Sequence, residues 1–228
     1  MTIHNPSCSC YVNHFPDVQN EHSDIEQAYC QSVQSCQKII LLIVGNDKYK
    51  TDPCGIAFCK RTWKELLNAR VSGRYLLCAI GVNFQNIIDR YNNPITLFCE
   101  MAKKGIVFIN QEDFEFTNQL LEIIEVKGMP RITLLCGVPA IQSYIKITQK
   151  LHIVEMCRVI PTIHPDIENA NSSENFKLFE KKRKDAWNDC WGNYGKTIEY
   201  LKTYIPLCQS ATQILSDINT IDNVIQTL

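Results

Sequence analysis

The stretch IILLIVGNDKYK, residues 39–50, places six consecutive apolar residues before a glycine, an amide and a carboxylate. An uninterrupted Ile/Leu/Val run is typical of a strand buried on both faces, and such strands belong to parallel sheets covered by helices. Asp47 therefore follows the carboxyl end of a strand, where open α/β sheets bind their ligands. The same position also suits an Asx turn or a helix cap after Gly45, so both interpretations stay open.

Apolar runs alternate with helical patterns along the rest of the chain. Strands are predicted at residues 38–45, 106–109, 132–137 and 154–160, and helices at 24–36, 62–69, 74–91, 95–103, 116–126, 140–150, within 175–201 and at 211–228. This alternation predicts an α/β three-layer sandwich with a central four-stranded parallel sheet flanked by helices. We expect a polar acidic segment at 1–37, the α/β domain at 38–204 and a helical tail at 205–228.

Cysteine usage and the missing export signals predict the compartment. The chain has 228 residues and twelve cysteines, and it shows neither a signal-peptide pattern nor an apolar run of about 18 residues. Most of the cysteines fall within predicted strands and helices, which is typical of buried thiols in a reducing compartment. We expect a monomeric protein of the cytoplasm or nucleus that does not contact a membrane.

The N-terminal stretch HNPSCSCYVNH is the one candidate metal site. His4, Cys8, Cys10 and His14 are four potential zinc ligands, but Cys-x-Cys lacks the usual two-residue spacer. A terminal segment without metal is the other interpretation. We predict no metal and no other cofactor.

The distribution of charge permits a polyanionic partner. The formal net charge is −1, but residues 1–37 and 203–228 contain six acids and no lysine or arginine. The remaining residues therefore carry 23 basic against 18 acidic side chains. DNA is thus an acceptable partner, and the termini are candidates for a protein partner.

Polar side chains follow three of the predicted strands. Asp47 comes after the first strand, Asn110 after the second and His164 four residues after the fourth, while Tyr49 and Phe58 add two aromatic rings. A carboxylate, an amide, an imidazole and two rings at one sheet edge predict a pocket for a flat polar ligand such as a nucleobase. Each residue also has an ordinary structural interpretation as a strand-end cap, a core ring or a structural histidine.

Five short motifs occur in a fixed order between residues 38 and 164: GNDKYK, GIAFC, FIN, LLCGVPA and HPDI. In this order they resemble GQDPYH, GLAFS, LLLN, LLWGxxA and HPSP of the uracil-DNA glycosylase superfamily. The resemblance implies a metal-independent, monofunctional enzyme that removes uracil or a related altered base from DNA.

The resemblance also implies roles for two catalytic residues. Asp47 would orient the attacking water and favour the positive charge that develops on the sugar. His164 would donate a hydrogen bond to O2 of the departing base.

Four further residues would bind the base. Asn110 would pair with the polar edge of uracil, and Phe58 would stack on the flipped ring. Tyr49 would exclude the methyl group of thymine, and Asn46 would replace the family's glutamine beside the sugar.

The departures from the family motifs lie at residues that would contact DNA. Lys48 and Lys50 stand where the family has proline and histidine, and they add two possible phosphate contacts. HPDIEN lacks the serine and the wedging leucine of HPSPLS and adds two acids, which predicts a preference for single-stranded DNA. Further phosphate contacts are predicted at four consecutive basic residues, Lys181, Lys182, Arg183 and Lys184. The alternative interpretations of this run are a solvated helix surface and a targeting signal.

Three hypotheses follow from these observations. The first is a DNA glycosylase, and the second is a catalytically impaired protein of the same fold that binds DNA or a protein partner. The third is a hydrolase of free nucleosides or nucleotides, which needs the pocket but no wedge.

Overall fold

The computed structural model describes residues 19–45, 54–110, 122, 126–142, 144, 159–165, 177–204 and 211–228. The labelled strands are β1 (Leu41–Gly45), β2 (Ile106–Asn110), β3 (Ile132–Cys136) and β4 (Val159–Thr162). The labelled helices are α1 (Gln19–Ser35), α2 (Trp63–Leu66), α3 (Ser72–Ala79), α4 (Phe84–Arg90), α5 (Pro94–Lys103), α6 (Lys177–Trp191), α7 (Lys196–Tyr204) and α8 (Ala211–Gln226). Residues 138–142 are also helical.

The four described strands form one parallel sheet in the order β2-β1-β3-β4. β1 lies in the middle, paired with β2 on one side and β3 on the other, so the first apolar run forms the centre of the sheet. Helices cover this sheet, which confirms the predicted α/β sandwich.

The central strand is buried on both faces, and this explains its uninterrupted apolar run. Leu41 and Ile43 belong to the larger apolar cluster, whereas Leu42 and Val44 belong to the smaller one on the opposite face. All four side chains are completely inaccessible to water. Full burial of such a side chain contributes about 1.5–3 kcal/mol, so a polar residue in this run would destabilise the whole sheet.

The predicted helix at 74–91 is wrong as a single element, because the structure divides it into α3 and α4. Gly81 has a φ of +102°, a conformation that glycine adopts without strain and that ends α3. The Asn83 side chain then accepts a hydrogen bond of 3.1 Å from the Gln85 amide and caps α4. The apolar periodicity continues across the break, so the sequence pattern does not indicate where the helix ends.

Other predicted boundaries shift by a few residues. α1 begins five residues earlier than predicted, and β1 begins at Leu41 rather than at residue 38. β4 extends to Thr162 and contains the exposed Pro161, which an edge strand tolerates because that position needs no amide donor. Most of the helices predicted at 116–126 and 140–150, and the strand residues before 159, lie outside the described residues.

The hydroxyl of Tyr29 on α1 closes the outer edge of β2. It accepts a hydrogen bond of 2.7 Å from the Phe108 amide and donates one of 3.0 Å to the carbonyl of the same residue. Burial raises the pKa of the Tyr29 hydroxyl well above its ordinary value, so it stays protonated and performs both functions. The helix of the acidic N-terminal segment is therefore part of the sheet's hydrogen bonding.

The C-terminal helix α8 joins the same core. Ile218, Ile221 and Ile225 are buried in the larger apolar cluster. An ion pair of 3.0 Å between Arg131, just before β3, and the buried Asp217 connects α8 to the sheet. Within the described ranges, no helix is both long and apolar enough to cross a membrane.

Candidate functional site

Two strand ends meet at the carboxyl edge of the sheet. Gly45, the last residue of β1, pairs in register with Asn110, the last residue of β2. A Cβ atom on Gly45 would lie only 3.2 Å from Oδ1 of Asn110. The predicted amide therefore lies directly beside the end of the central strand, and its side chain is 9% exposed.

Phe58 lies against the same strand end from a neighbouring turn. Its ring atoms Cε2 and Cζ lie 2.9 Å from the position that a Cβ on Gly45 would occupy. A side chain at residue 45 would therefore have to displace this ring. The ring is 6% exposed, so it is fixed by packing before any ligand arrives.

The backbone of Phe58 is held in an unfavourable conformation. Its φ is +63°, and among the described residues it is the one non-glycine with a positive φ. Such a conformation costs about 1–3 kcal/mol and persists where the surroundings impose it, often at functional sites. The opposing surface is Gly73 on α3, where a Cβ would lie 1.9 Å from the Phe58 carbonyl oxygen.

His164 completes the group from the far side of the sheet. Its ring centroid lies 5.9 Å from that of Phe58, with an angle of 34° between the ring planes. Gly137, after β3, has a φ of +93°, and a Cβ there would lie 3.2 Å from Cβ of His164. The end of β3 must therefore carry glycine for the imidazole to reach this position.

A tryptophan that the sequence did not single out positions this histidine. The indole Nε1 of Trp191, at the end of α6, donates a hydrogen bond of 2.9 Å to the carbonyl of Ile163. Thr162 at the end of β4 also donates from Oγ1 to the Leu135 carbonyl, at 3.0 Å. Of the two residues before His164, Ile163 is thus held by the helix and Thr162 by the sheet.

The structure brings three of the predicted site residues together, namely Phe58, Asn110 and His164. Residues 46–50 lie outside the described residues, so the predicted roles of Asn46, Asp47, Lys48, Tyr49 and Lys50 stay predictions. The four predicted basic residues at 181–184 lie on α6. Of these four, Lys184 has a described side chain, and it is exposed.

Two thiols that the sequence analysis did not assign lie in the turn that carries Phe58. Cys54 and Cys59 are both buried; the Cys54 thiol donates to the Ile56 carbonyl at 3.9 Å, and the Cys59 thiol donates to the Lys60 carbonyl at 3.4 Å. The interaction with the neighbouring Cys59 side chain and, to a smaller extent, the Arg61 charge lower the pKa of the Cys54 thiol, whereas burial raises the pKa of Cys59 well above its ordinary value. No disulfide joins any two of the eight cysteines that the structure describes.

The chemistry of this edge suits a planar polar ligand. An aromatic ring offers a stacking face, an amide offers a donor and an acceptor in one plane, and an imidazole can donate a hydrogen bond. No group of three or more His, Cys, Asp or Glu side chains among the described residues is arranged to hold a metal ion. No protein-family model matches the chain, and no curated protein shows significant similarity to it.

Proposed function

We propose that the chain is a DNA glycosylase that hydrolyses the N-glycosidic bond of uracil or a related altered base in DNA. The observation that supports it most is the packing of the Phe58 ring against Gly45, with Asn110 at the same strand end and the His164 ring 5.9 Å from the Phe58 ring. Gly45 and His164 are 119 positions apart in the sequence, and all four residues lie at the edge of the sheet where α/β proteins bind ligands.

In this proposal, a base extruded from the DNA stacks on Phe58. Asn110 reads its polar edge, because one amide supplies both the donor and the acceptor that a uracil edge requires. The strained turn and the nearly buried ring are already in place, so little conformational entropy is lost when the base enters.

Bond cleavage moves positive charge to the sugar and negative charge to the base. His164 donates a hydrogen bond to the base oxygen and stabilises its negative charge as the bond lengthens. Asp47 follows Gly45 by two residues, a chain length of at most about 7 Å, and in the proposal its carboxylate orients the water and stabilises the sugar cation.

The binding of DNA would use basic side chains around this edge. Lys48, Lys50 and the four basic residues of α6 at 181–184 are the proposed phosphate contacts. The motif HPDI carries an acid where the family has a serine, so we propose that single-stranded DNA is the preferred form. The protein would act in base-excision repair, in the reducing compartment that its cysteines favour.

The second candidate is a protein that retains the pocket but does not catalyse. The specific observation in its favour is that Lys48 and Lys50 follow Asp47 by one and three residues, so that either ammonium group could pair with the carboxylate and displace the water. Such a protein would bind DNA, or a protein partner through its termini, without breaking a bond.

One experiment distinguishes these functions. Purified protein is incubated with single-stranded and duplex oligonucleotides that contain one uracil, and abasic sites are detected as alkali-labile breaks. We expect breaks with the parent protein and none with Asp47→Asn, whereas Asp89→Asn, a change at an exposed carboxylate on α4, serves as the matched control.

Each alternative outcome has a defined meaning. DNA binding without breaks supports the binding protein, and cleavage of free deoxyuridine without cleavage of oligonucleotides supports a nucleoside hydrolase. Breaks that persist in Asp47→Asn contradict the proposed role of this carboxylate. An activity screen with thymine-mismatch, deaminated-purine and oxidised-base oligonucleotides then defines the preferred base.

A further inference from the structure

A basic segment follows the stacking ring along the chain. Residues 60–74 contain five basic side chains and one acid, Glu65. The carboxylate of Glu65 is engaged within the segment, since its Oε2 accepts hydrogen bonds from the Thr62 amide at 3.1 Å and from the Thr62 hydroxyl at 2.8 Å. The positive charge of this segment is therefore not balanced by acids of its own. The basic residues are Lys60, Arg61, Lys64, Arg70 and Arg74.

Both ends of this segment are fixed at Phe58. It begins two residues after Phe58, and it returns at Gly73, which packs closely against the Phe58 carbonyl. Between these points the indole Nε1 of Trp63 donates a hydrogen bond of 2.8 Å to the Tyr91 carbonyl, which holds α2 against the end of α4. The basic side chains are thus carried by a structured loop beside the stacking ring.

Two of these basic side chains are open to solvent, namely Lys64 and Arg70. Neither forms an ion pair with any residue in the described part of the chain. The half-buried Arg74 donates a hydrogen bond of 2.9 Å to the carbonyl of Leu67, which directly follows α2. Cations without a neighbouring carboxylate attract anionic partners, so this loop is a candidate contact surface.

The Tyr75 side chain connects the two arginines of this loop. The Arg74 guanidinium lies 5.9 Å from the centre of the Tyr75 ring. The Tyr75 hydroxyl donates a hydrogen bond of 2.8 Å to the carbonyl of Ala69, the residue before Arg70. Both arginines therefore lie close to one aromatic side chain, which is itself half-buried.

The same tyrosine brings this loop to the basic run of α6. Its ring meets the Trp187 ring edge to face, with the centroids 5.2 Å apart and the planes at 73°. The exposed Lys184 precedes Trp187 by three residues, so it lies one helical turn away on the same side of α6. Arg74 and Lys184 are 110 positions apart in the sequence, but the contact between the rings joins them in one surface.

We propose that the cations of this surface bind the sugar-phosphate backbone of single-stranded DNA. They are Lys64, Arg70, Arg74 and Lys184. The charge of the surface complements that of the phosphates, and an aromatic side chain between cations is typical of surfaces that bind unpaired strands. This role rests on the proposed function, because the bound strand is the one whose extruded base stacks on Phe58.

Two matched pairs of substitutions test this surface. The test pair, Lys64→Gln with Arg70→Gln, removes two exposed side chains that make no hydrogen bond within the described part of the chain, so the fold should be retained. These two also avoid α6, where the exposed acids at 185 and 189 offset part of the positive charge. The control pair, Lys38→Gln with Lys103→Gln, removes two exposed cations that precede β1 and β2, at the opposite edge of the sheet.

The measured quantity is the affinity for a fluorescent single-stranded oligonucleotide without uracil, followed by anisotropy over a series of salt concentrations. Each phosphate contact on a single strand contributes about 0.7 to the slope of log affinity against log salt. The test pair should therefore lower this slope by about 1.4, and the affinity in about 0.1 M salt by about 25-fold. The control pair should leave the slope unchanged.

Three results overturn this role of the surface. The first is an unchanged slope in the test pair. The second is an equal loss in the control pair, which would mean that net charge alone attracts the strand. The third is equal competition by poly-glutamate and by an unlabelled strand of the same length, which would mean that the surface binds acidic chains in general.

Uracil excision, measured on the same variants, keeps this role distinct from the proposed function. A parent protein that binds the strand with the expected slopes but excises no uracil contradicts the glycosylase and supports the surface. A parent protein that excises uracil while the test pair keeps the parental slope contradicts the surface alone.

Discussion

Replacement of Gly45 by alanine should move the Phe58 ring out of the site without breaking the strand. Glycine 45 is in ordinary strand conformation, but the new methyl group would lie 2.9 Å from two ring carbons. Carbon atoms pack best at about 3.5–4.0 Å, so the ring must move by at least about 0.6 Å. Asn110, at 3.2 Å from the same position, blocks part of the space into which the methyl group would otherwise shift.

The cost of this change follows from two opposing terms. Overpacking a core costs about 1–3 kcal/mol. Replacing a strand glycine by alanine stabilises the fold by about 0.5–1 kcal/mol, because alanine loses less conformational entropy on folding. We expect a net loss of about 1–2 kcal/mol in the free energy of unfolding, measured by chemical denaturation. A displacement approaching 1 Å at a reacting centre costs up to about 100-fold in rate, so excision of uracil should fall by about 10–100-fold.

A double-mutant cycle with Phe58→Leu tests this reasoning. The shorter side chain removes the ring atoms that clash, so Gly45→Ala should be less destabilising in the Phe58→Leu background, by at least about 0.5 kcal/mol. Excision should stay low in the double variant because the stacking face is absent. Gly128→Ala is the control, since nothing lies within 4 Å of that position and its φ of +74° alone costs about 1–2 kcal/mol.

Two results would refute the prediction. Parental excision in a destabilised Gly45→Ala protein would mean that the ring does not form part of the active site. Strictly additive losses of stability in the double variant would mean that the methyl group and the ring do not meet.

Four further outcomes are expected. Tyr49→Ala should gain excision of thymine while it keeps excision of uracil, and no gain would exclude this ring as the gate. Excision should be faster from single-stranded than from duplex oligonucleotides, and equal rates would require a wedge from another loop. Arg131→Met should cost about 3–5 kcal/mol of unfolding free energy because it removes the cation that pairs with the buried Asp217 carboxylate, whereas Arg131→Lys should cost less; equal losses would contradict the charge argument. Tyr29→Phe should cost about 1–3 kcal/mol, since it leaves buried backbone groups of Phe108 without a partner, and a neutral result would mean that water replaces the hydroxyl.

The parts of the fold that the sequence predicted are those that depend on local pattern. The run at 39–44 indicated a strand with two buried faces, and alternating helices and strands indicated a parallel sheet. Because parallel strands end at one edge, the convergence of Asn110 and His164 could also be expected. Gly81 interrupts an otherwise continuous apolar period, so the division of the predicted helix at 74–91 could not be read from periodicity.

The details of the site depend on contacts between distant parts of the chain. The positive φ of Phe58 has no signal in GIAFC itself; it occurs where the Phe58 carbonyl packs closely against Gly73 of α3. The hydrogen bond from Trp191 that positions Ile163 joins residues 28 apart. The burial of the Cys54 and Cys59 thiols likewise requires the turn to be formed, although their spacing in one short loop is visible in the sequence.

The hydroxyl of Tyr29 also determines how the sheet can meet other chains. An exposed edge strand offers its free amides and carbonyls to any extended peptide, which is a common route to strand exchange and aggregation. At β2, the central residue of the strand has both of these groups occupied by one side chain from α1. Loss of the helix at residues 19–35 would therefore expose a template for strand addition, and we expect truncated forms that begin at residue 38 to self-associate through this edge, even where they retain the pocket.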